Sequence, residues 1–139
     1  MLIALVDPAH VAHEAAHRWF SAFGAASWAT CPISENGMIR ILGHPKYPNS
    51  AGSPAAVVPM LSGMRTLPGH VFWPDDISLF GSELVDPTHL TTAAQVTDAY
   101  LLALAERNGV PLLPVRETGG LVTADIVNAL RDESALMAD

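Results

Sequence analysis

Cysteine is almost missing from this chain: Cys31 stands alone. A disulfide framework and a thiolate metal cage within one chain are therefore excluded, and the composition fits a reducing compartment. Basic residues are scarce too, with 7 Lys and Arg against 14 Asp and Glu and a formal charge of −7. Non-specific nucleic-acid binding draws on phosphate contacts from Lys and Arg, and no basic stripe is visible. A nuclease whose acids hold metal, or whose few bases cluster, stays compatible with this. No apolar run approaches the ~20 residues of a membrane helix. The first residues lack a basic region and soon reach Asp7, so there is no signal-peptide pattern. The expected location is the cytoplasm. Charged residues make up only 15%, which argues against intrinsic disorder.

What is present is apolar: half of the 139 residues, enough for a core in one domain, 1–139. Leu2 to Val6 is a short apolar run closed by Asp7-Pro8. Val11, Ala15, Trp19 and Phe23 recur every four positions, a helix stripe. Trp28 to Cys31 reads as a buried strand, and Ser34 as the N-cap of a helix that Glu35 opens. Ser53-Pro54 has the form of an N-cap followed by proline at the first helical position, for a helix to about Leu67 that Pro59 should kink or restart. Pro68-Gly69 breaks the chain before a second strand, His70 to Trp73. Thr91 to Asn108 carries the strongest helix pattern, with Asn108-Gly109 as its C-cap. Val110 to Val115 is a strand candidate distorted by Pro111 and Pro114. Gly119 to Asp125 is another, and Ala124 to Met137 reads as helical. Strands alternating with helices imply an α/β fold, a parallel sheet flanked by helices.

Two acids sit where chemistry gathers in that class. Glu35 follows the Trp28 strand, and Asp98 sits at the mouth of the Thr91 helix. If each marks the handover from a strand to a helix, both lie near the carboxyl ends of the strands, where ligands collect. Clustered carboxylates are the hard oxygen ligands that Mg²⁺ or Mn²⁺ takes. The plainer reading is two acids complementing helix dipoles.

At these residues the chain resembles a known family. The segments Trp28-Ala29-Thr30-Cys31-Pro32-Ile33-Ser34-Glu35-Asn36-Gly37 and Val96-Thr97-Asp98-Ala99-Tyr100-Leu101-Leu102-Ala103-Leu104-Ala105 look like the two central motifs of PIN-domain ribonucleases. The closer likeness is to the toxin subunit of VapBC toxin–antitoxin modules, and His10 to Phe20 and Phe72 to Asp76 agree with it. The resemblance implies a PIN-like three-layer fold and a Mg²⁺- or Mn²⁺-dependent endoribonuclease. It also implies an antitoxin partner and a homodimer. Glu35 and Asp98 fall on two of the family's acids, and Thr97 on a polar neighbour suited to a water or a phosphate. The family's first acid, at the end of strand one, would lie ahead of Met1, so the chain is expected to begin past it with that strand incomplete. For the last acid, a match without gaps lands on Arg116, next to Glu117. Asp125 suits the motif better, with an insertion before it.

Other groups carry competing readings. His10, His13 and His17 share one helix face. They suit either zinc or, the expectation preferred, a solvated face. Asp75 and Asp76 are expected to cap a short helix after Trp73-Pro74 rather than to extend an acidic site. Arg40 and Arg65 are either phosphate contacts or solvated. Trp19, Phe20 and Phe23 read as core or interface rather than as a base-stacking platform. Cys31 reads as a small buried apolar group, and Gly119-Gly120 as a turn.

The leading expectation is thus an RNA-cleaving toxin. The alternative is a catalytically impaired PIN-like domain acting as a protein-binding or dimerisation module, since two acids are few for a firm site. A metal-independent α/β binding module is the third possibility.

Overall fold

A computed structural model describes residues 1–81 and 85–110. Its elements in order are α1 (Leu2–Val6), α2 (His13–Ala22), β1 (Trp28–Thr30), α3 (Pro32–Leu42), α4 (Pro54–Arg65), β2 (His70–Phe72) and α5 (Ala93–Arg107). Short 3-10 turns occupy Gly24–Ala26, Leu79–Gly81 and Pro87–His89. The chain forms two compact units, Met1–Pro74 and Asp75–Asp139. The strand expected over Val110 to Val115, apart from Val110 itself, the strand expected over Gly119 to Asp125 and the helix expected over Ala124 to Met137 lie outside the described residues.

In the first unit β1 and β2 pair in parallel, with Trp28 opposite His70, Ala29 opposite Val71 and Thr30 opposite Phe72. Parallel pairing requires a crossover, which α3 and α4 provide. Entry into β2 depends on Gly69, whose φ of +83° is left-handed. A Cβ there would meet the Ala26 carbonyl oxygen at 2.8 Å, so glycine answers both demands. The core of this unit is Ile3, Trp28, Met38, Ile41, Leu42, Val57 and Leu61. α3 packs against both α1 and α4.

Three local expectations change. The N-cap of α3 is Cys31, not Ser34. Pro32 takes the first helical position, where its fixed φ suits a helix start and no amide is missed. Ser34 lies one turn in, its hydroxyl accepting from the Cys31 amide at 3.0 Å and donating to the Cys31 carbonyl at 3.0 Å. Pro59 does not restart α4, which runs from Pro54 to Arg65 with Pro59 exposed while Val57 and Leu61 face inward. The Ser53 cap is as expected, its hydroxyl accepting from the Ala56 amide at 3.3 Å.

The third change concerns the histidines. His13 Nδ1–H donates to the Ala4 carbonyl at 2.7 Å, and His17 Nε2–H donates to the Leu5 carbonyl at 2.8 Å. His10 Nδ1 accepts from the Ala12 amide at 3.0 Å. The face is therefore not simply solvated. His13 and His17, with ring centroids 4.3 Å apart, satisfy carbonyls that a short helix leaves open at its end. Among the described residues no three metal-binding side chains come together, so the zinc reading finds no support here.

α1 is closed by Asp7, which is buried. Its Oδ1 accepts from the Ala9 amide at 2.9 Å and from Asn49 Nδ2 at 2.8 Å, and its Oδ2 accepts from the Tyr47 hydroxyl. Burial alone raises the carboxyl's pKa. The donors Tyr47, Asn49 and Ala9, with His10 nearby, outweigh it and hold the group below the ordinary 3.8. The same burial and the bond to Asp7 push the Tyr47 phenol above its ordinary 10.0. A lowered carboxyl pKa means that ionised Asp7 favours the fold. Its contribution is complete above the unfolded value and is lost as the pH falls through the lower folded value. Thermal melts should therefore show stability dropping in acid below the ordinary 3.8. Asp7→Asn should remove that part of the pH dependence and cost about 1–3 kcal/mol at neutral pH, because one acceptor oxygen and the charge that strengthens the remaining hydrogen bonds are lost. A pH profile unchanged by the substitution would contradict this.

In the second unit α5 starts at Ala93. Gln95 Oε1 accepts from the Thr91 amide at 2.8 Å and from the amide of the N-cap Thr92 at 3.1 Å, the return bond of a capping box. The helix ends with Asn108 Nδ2 donating to the Leu104 carbonyl at 2.8 Å and Gly109 at φ +84°, the cap expected from the sequence. Ala103 and Leu104 are buried. Asp75 does not cap a helix: it accepts from the Tyr100 hydroxyl at 2.8 Å. Residues 74–78 form neither helix nor strand, and the turn after them starts only at Leu79.

Candidate functional site

The end of β1 delivers Glu35. Thr30 is the last residue of the strand and is 2% exposed. The chain then turns through Cys31 into α3, which carries Glu35 in its first turn. Thr30 Oγ1 donates to Glu35 Oε1 at 2.7 Å. Thr30 Oγ1 also lies 2.8 Å from His70 Nε2 on the paired strand. Arg65, the last residue of α4, places Nε 3.4 Å from the same Glu35 Oε1. The Glu35 side chain is 12% exposed and that of Arg65 44%. The Arg65 guanidinium also sits over the Phe72 ring, 5.1 Å from its centroid, a cation–π placement.

His70 is itself held. Its ring meets Trp28 edge-on at 4.6 Å, and Trp28 meets Phe20 the same way at 5.6 Å. Burial lowers the His70 pKa below its ordinary 6.5, Arg65 lowers it further, and Glu35 opposes them. The ring is therefore neutral at neutral pH, with one of its two nitrogens carrying the proton. Trp28 and Phe20 thus pack together as expected of core aromatics, while Phe23 is exposed.

Among the described residues, every hydrogen bond and ion pair of the Glu35 carboxylate falls on Oε1. Oε2 is left as a hard oxygen donor of the kind Mg²⁺ or Mn²⁺ takes. Among the described residues no three His, Cys, Asp or Glu side chains come together as a metal cluster.

Asp98 belongs to the second unit and is buried, 9% exposed. It is not at the mouth of its helix: α5 begins at Ala93, no acid lies in its first turn, and Asp98 occupies the second. Nor does a strand lead into it, since the Pro87–His89 turn comes before α5. The dipole explanation loses force this far into the helix, whereas Glu35, in a first turn, keeps it. Thr97, beside Asp98, is half-buried. Arg40 is exposed in the last turn of α3. At 3.6 residues per turn it lies about 140° around the helix from Glu35, so the two are not brought together. Asp125, Glu117 and Arg116 lie outside the described residues.

Sequence reasoning missed Thr30 and His70. Thr30 stood in the quoted motif five residues before Glu35, and strand alternation already placed it on the buried face with Trp28. His70 needed the pairing register, 40 residues away. Arg65 was weighed only as a phosphate contact.

Comparison with known proteins gives the chain's family. The chain is 40% identical to ribonuclease VapC39 of Mycobacterium tuberculosis over 135 residues, covering 97% of this chain and 89% of that protein. It is 39% identical to ribonuclease VapC38 of the same organism, covering 81% and 77%. The chain belongs to the VapC ribonuclease family. With ribonuclease VapC44 the identity is 39%, covering 76% of this chain and 73% of that protein. No family model matches the chain, and no solved structure matches it. The expectations of a VapC-type ribonuclease and of an α/β fold with a parallel sheet flanked by helices are borne out. Among the described residues of this VapC-family chain no helix is long and apolar enough to cross a membrane.

Proposed function

We propose that this chain is an endoribonuclease toxin that hydrolyses RNA phosphodiester bonds with Mg²⁺ or Mn²⁺ and is neutralised by a cognate antitoxin. Glu35 and Asp98 hold the cation, with Glu117 or Asp125 as a third ligand and Thr97 beside the phosphate. When bound, the cation supplies Lewis-acid polarisation and charge neutralisation at the phosphodiester. The protein's share is to fix the carboxylates, to orient them and to keep Arg65 close to the reacting region.

Kinship with ribonucleases along almost the whole chain is the observation that carries this reading. It favours an enzyme over a module that only binds protein. The Glu35 geometry supports it: one carboxylate oxygen is held by the protein while the other takes no partner among the described residues. Homodimerisation is part of the same proposal, and light scattering in solution tests it.

The test is cleavage of RNA by wild type and Asp98→Asn with added Mg²⁺ or Mn²⁺. Wild type should cleave and the variant should not. Equal cleavage by both would assign the activity to another site or to a contaminant.

Arg65 gives a second outcome. Its guanidinium neutralises Glu35 where a cation would also do so, so the two compete. Arg65→Met should tighten Mn²⁺ binding measured by calorimetry. Unchanged or weaker binding would mean that Arg65 does not oppose the cation.

A further inference from the structure

We propose that Thr30, backed by His70, is a positioning residue that aims the Glu35 carboxylate at its cation; the role rests on the metal-dependent reading above. Thr30 is buried at the end of β1, out of reach of RNA. Its hydroxyl has one proton, and that proton goes to Glu35 Oε1. The contact with His70 therefore runs the other way: Nε2–H of the ring donates to Thr30 Oγ1. The chain of bonds has one direction, from His70 through Thr30 to Glu35.

Each member is fixed by something other than Glu35. The parallel register sets β1 against β2, and Trp28 holds the His70 ring from its edge. Because the Thr30 hydroxyl proton is spent on Glu35, the ring proton of His70 belongs on Nε2. A glutamate on a helix has three side-chain torsions to settle. Thr30 settles them by binding Oε1, which turns Oε2 outward. Groups behind a metal ligand commonly act in this way, fixing its orientation and raising its basicity. Arg65 binds the same oxygen from a more exposed position, leaving Oε2 to the cation.

Calorimetric Mn²⁺ titration of wild type, Glu35→Gln, Thr30→Val, Thr30→Ser and His70→Phe tests this, with thermal melts and RNA-cleavage kinetics alongside. Thr30→Val keeps the shape and removes the hydroxyl. It should weaken Mn²⁺ binding about tenfold or more, lower Tm because buried hydrogen-bond partners lose Thr30, and lower kcat with KM for RNA unchanged. Thr30→Ser should restore the affinity. His70→Phe should fall between wild type and Thr30→Val. Thr30→Val binding Mn²⁺ like wild type, while Glu35→Gln loses it, would overturn the positioning role and leave the metal reading intact. Wild type and Glu35→Gln binding alike would overturn both. If Thr30→Val fails to fold, His70→Phe decides, and unaltered affinity in that variant overturns the role.

Discussion

Glu35→Gln is expected to lower RNA cleavage by about 10²–10³-fold, the several kcal/mol of charge stabilisation a metal ion supplies converted to rate. Glutamine keeps the length of the side chain, and its carbonyl still accepts from Thr30. What disappears is the negative charge. The cation then loses a ligand, and Arg65 loses its partner at 3.4 Å. Because Glu35 is in the first turn of α3, some favourable dipole interaction is also lost, about 0.3–1 kcal/mol. That sum is a small effect on folding and a large one on rate. Single-turnover cleavage with saturating Mn²⁺, on protein whose melt is close to that of wild type, separates the two. Cleavage at the wild-type rate would remove Glu35 from the reaction.

Met38→Ala is expected to cost about 2–5 kcal/mol of stability, a large share of the roughly 5–15 kcal/mol typical of a domain. Met38 is 1% exposed and lies three residues past Glu35, one turn along α3. The helix is anchored between α1 and α4, so Met38 is the packing that holds the site's acid in place. Truncation leaves a cavity that surrounding side chains fill only in part. Urea unfolding should show a clear fall in midpoint with little change in slope. A loss below about 1 kcal/mol would mean that the pocket collapses around the shorter side chain.

Much of the first unit was legible in its residues. Ser53-Pro54 marks the start of α4 because the hydroxyl and the missing amide act locally. Trp28 to Cys31 reads as a strand because its apolar run is short and bounded by turn residues. What depended on partners far along the chain was not legible. His13 and His17 declared their shared face, but the carbonyls they bind lie nine and twelve residues earlier. The start of α3 was misplaced because Ser34 is the better capping residue by type, whereas Pro32 decides the position by its ring. Asp98 was set at a helix mouth although Thr92 and Gln95, both in view, already placed the first turn ahead of it.

The candidate site divides in the same way. Glu35 and Asp98 stood out through their motifs. Thr30 stood within one of those motifs unremarked, since a threonine in a strand is ordinary and only the hydrogen bond gives it meaning. His70 requires the register of two strands, which short runs of three residues do not specify by pattern.

The proposed function rests on Glu35 and Asp98 both serving as metal ligands. Anomalous diffraction at the manganese edge, from crystals grown with Mn²⁺, tests it most directly. One peak about 2.1 Å from an oxygen of each carboxylate is the result the account predicts. A manganese peak on one of these acids with the other turned away from it would contradict the account.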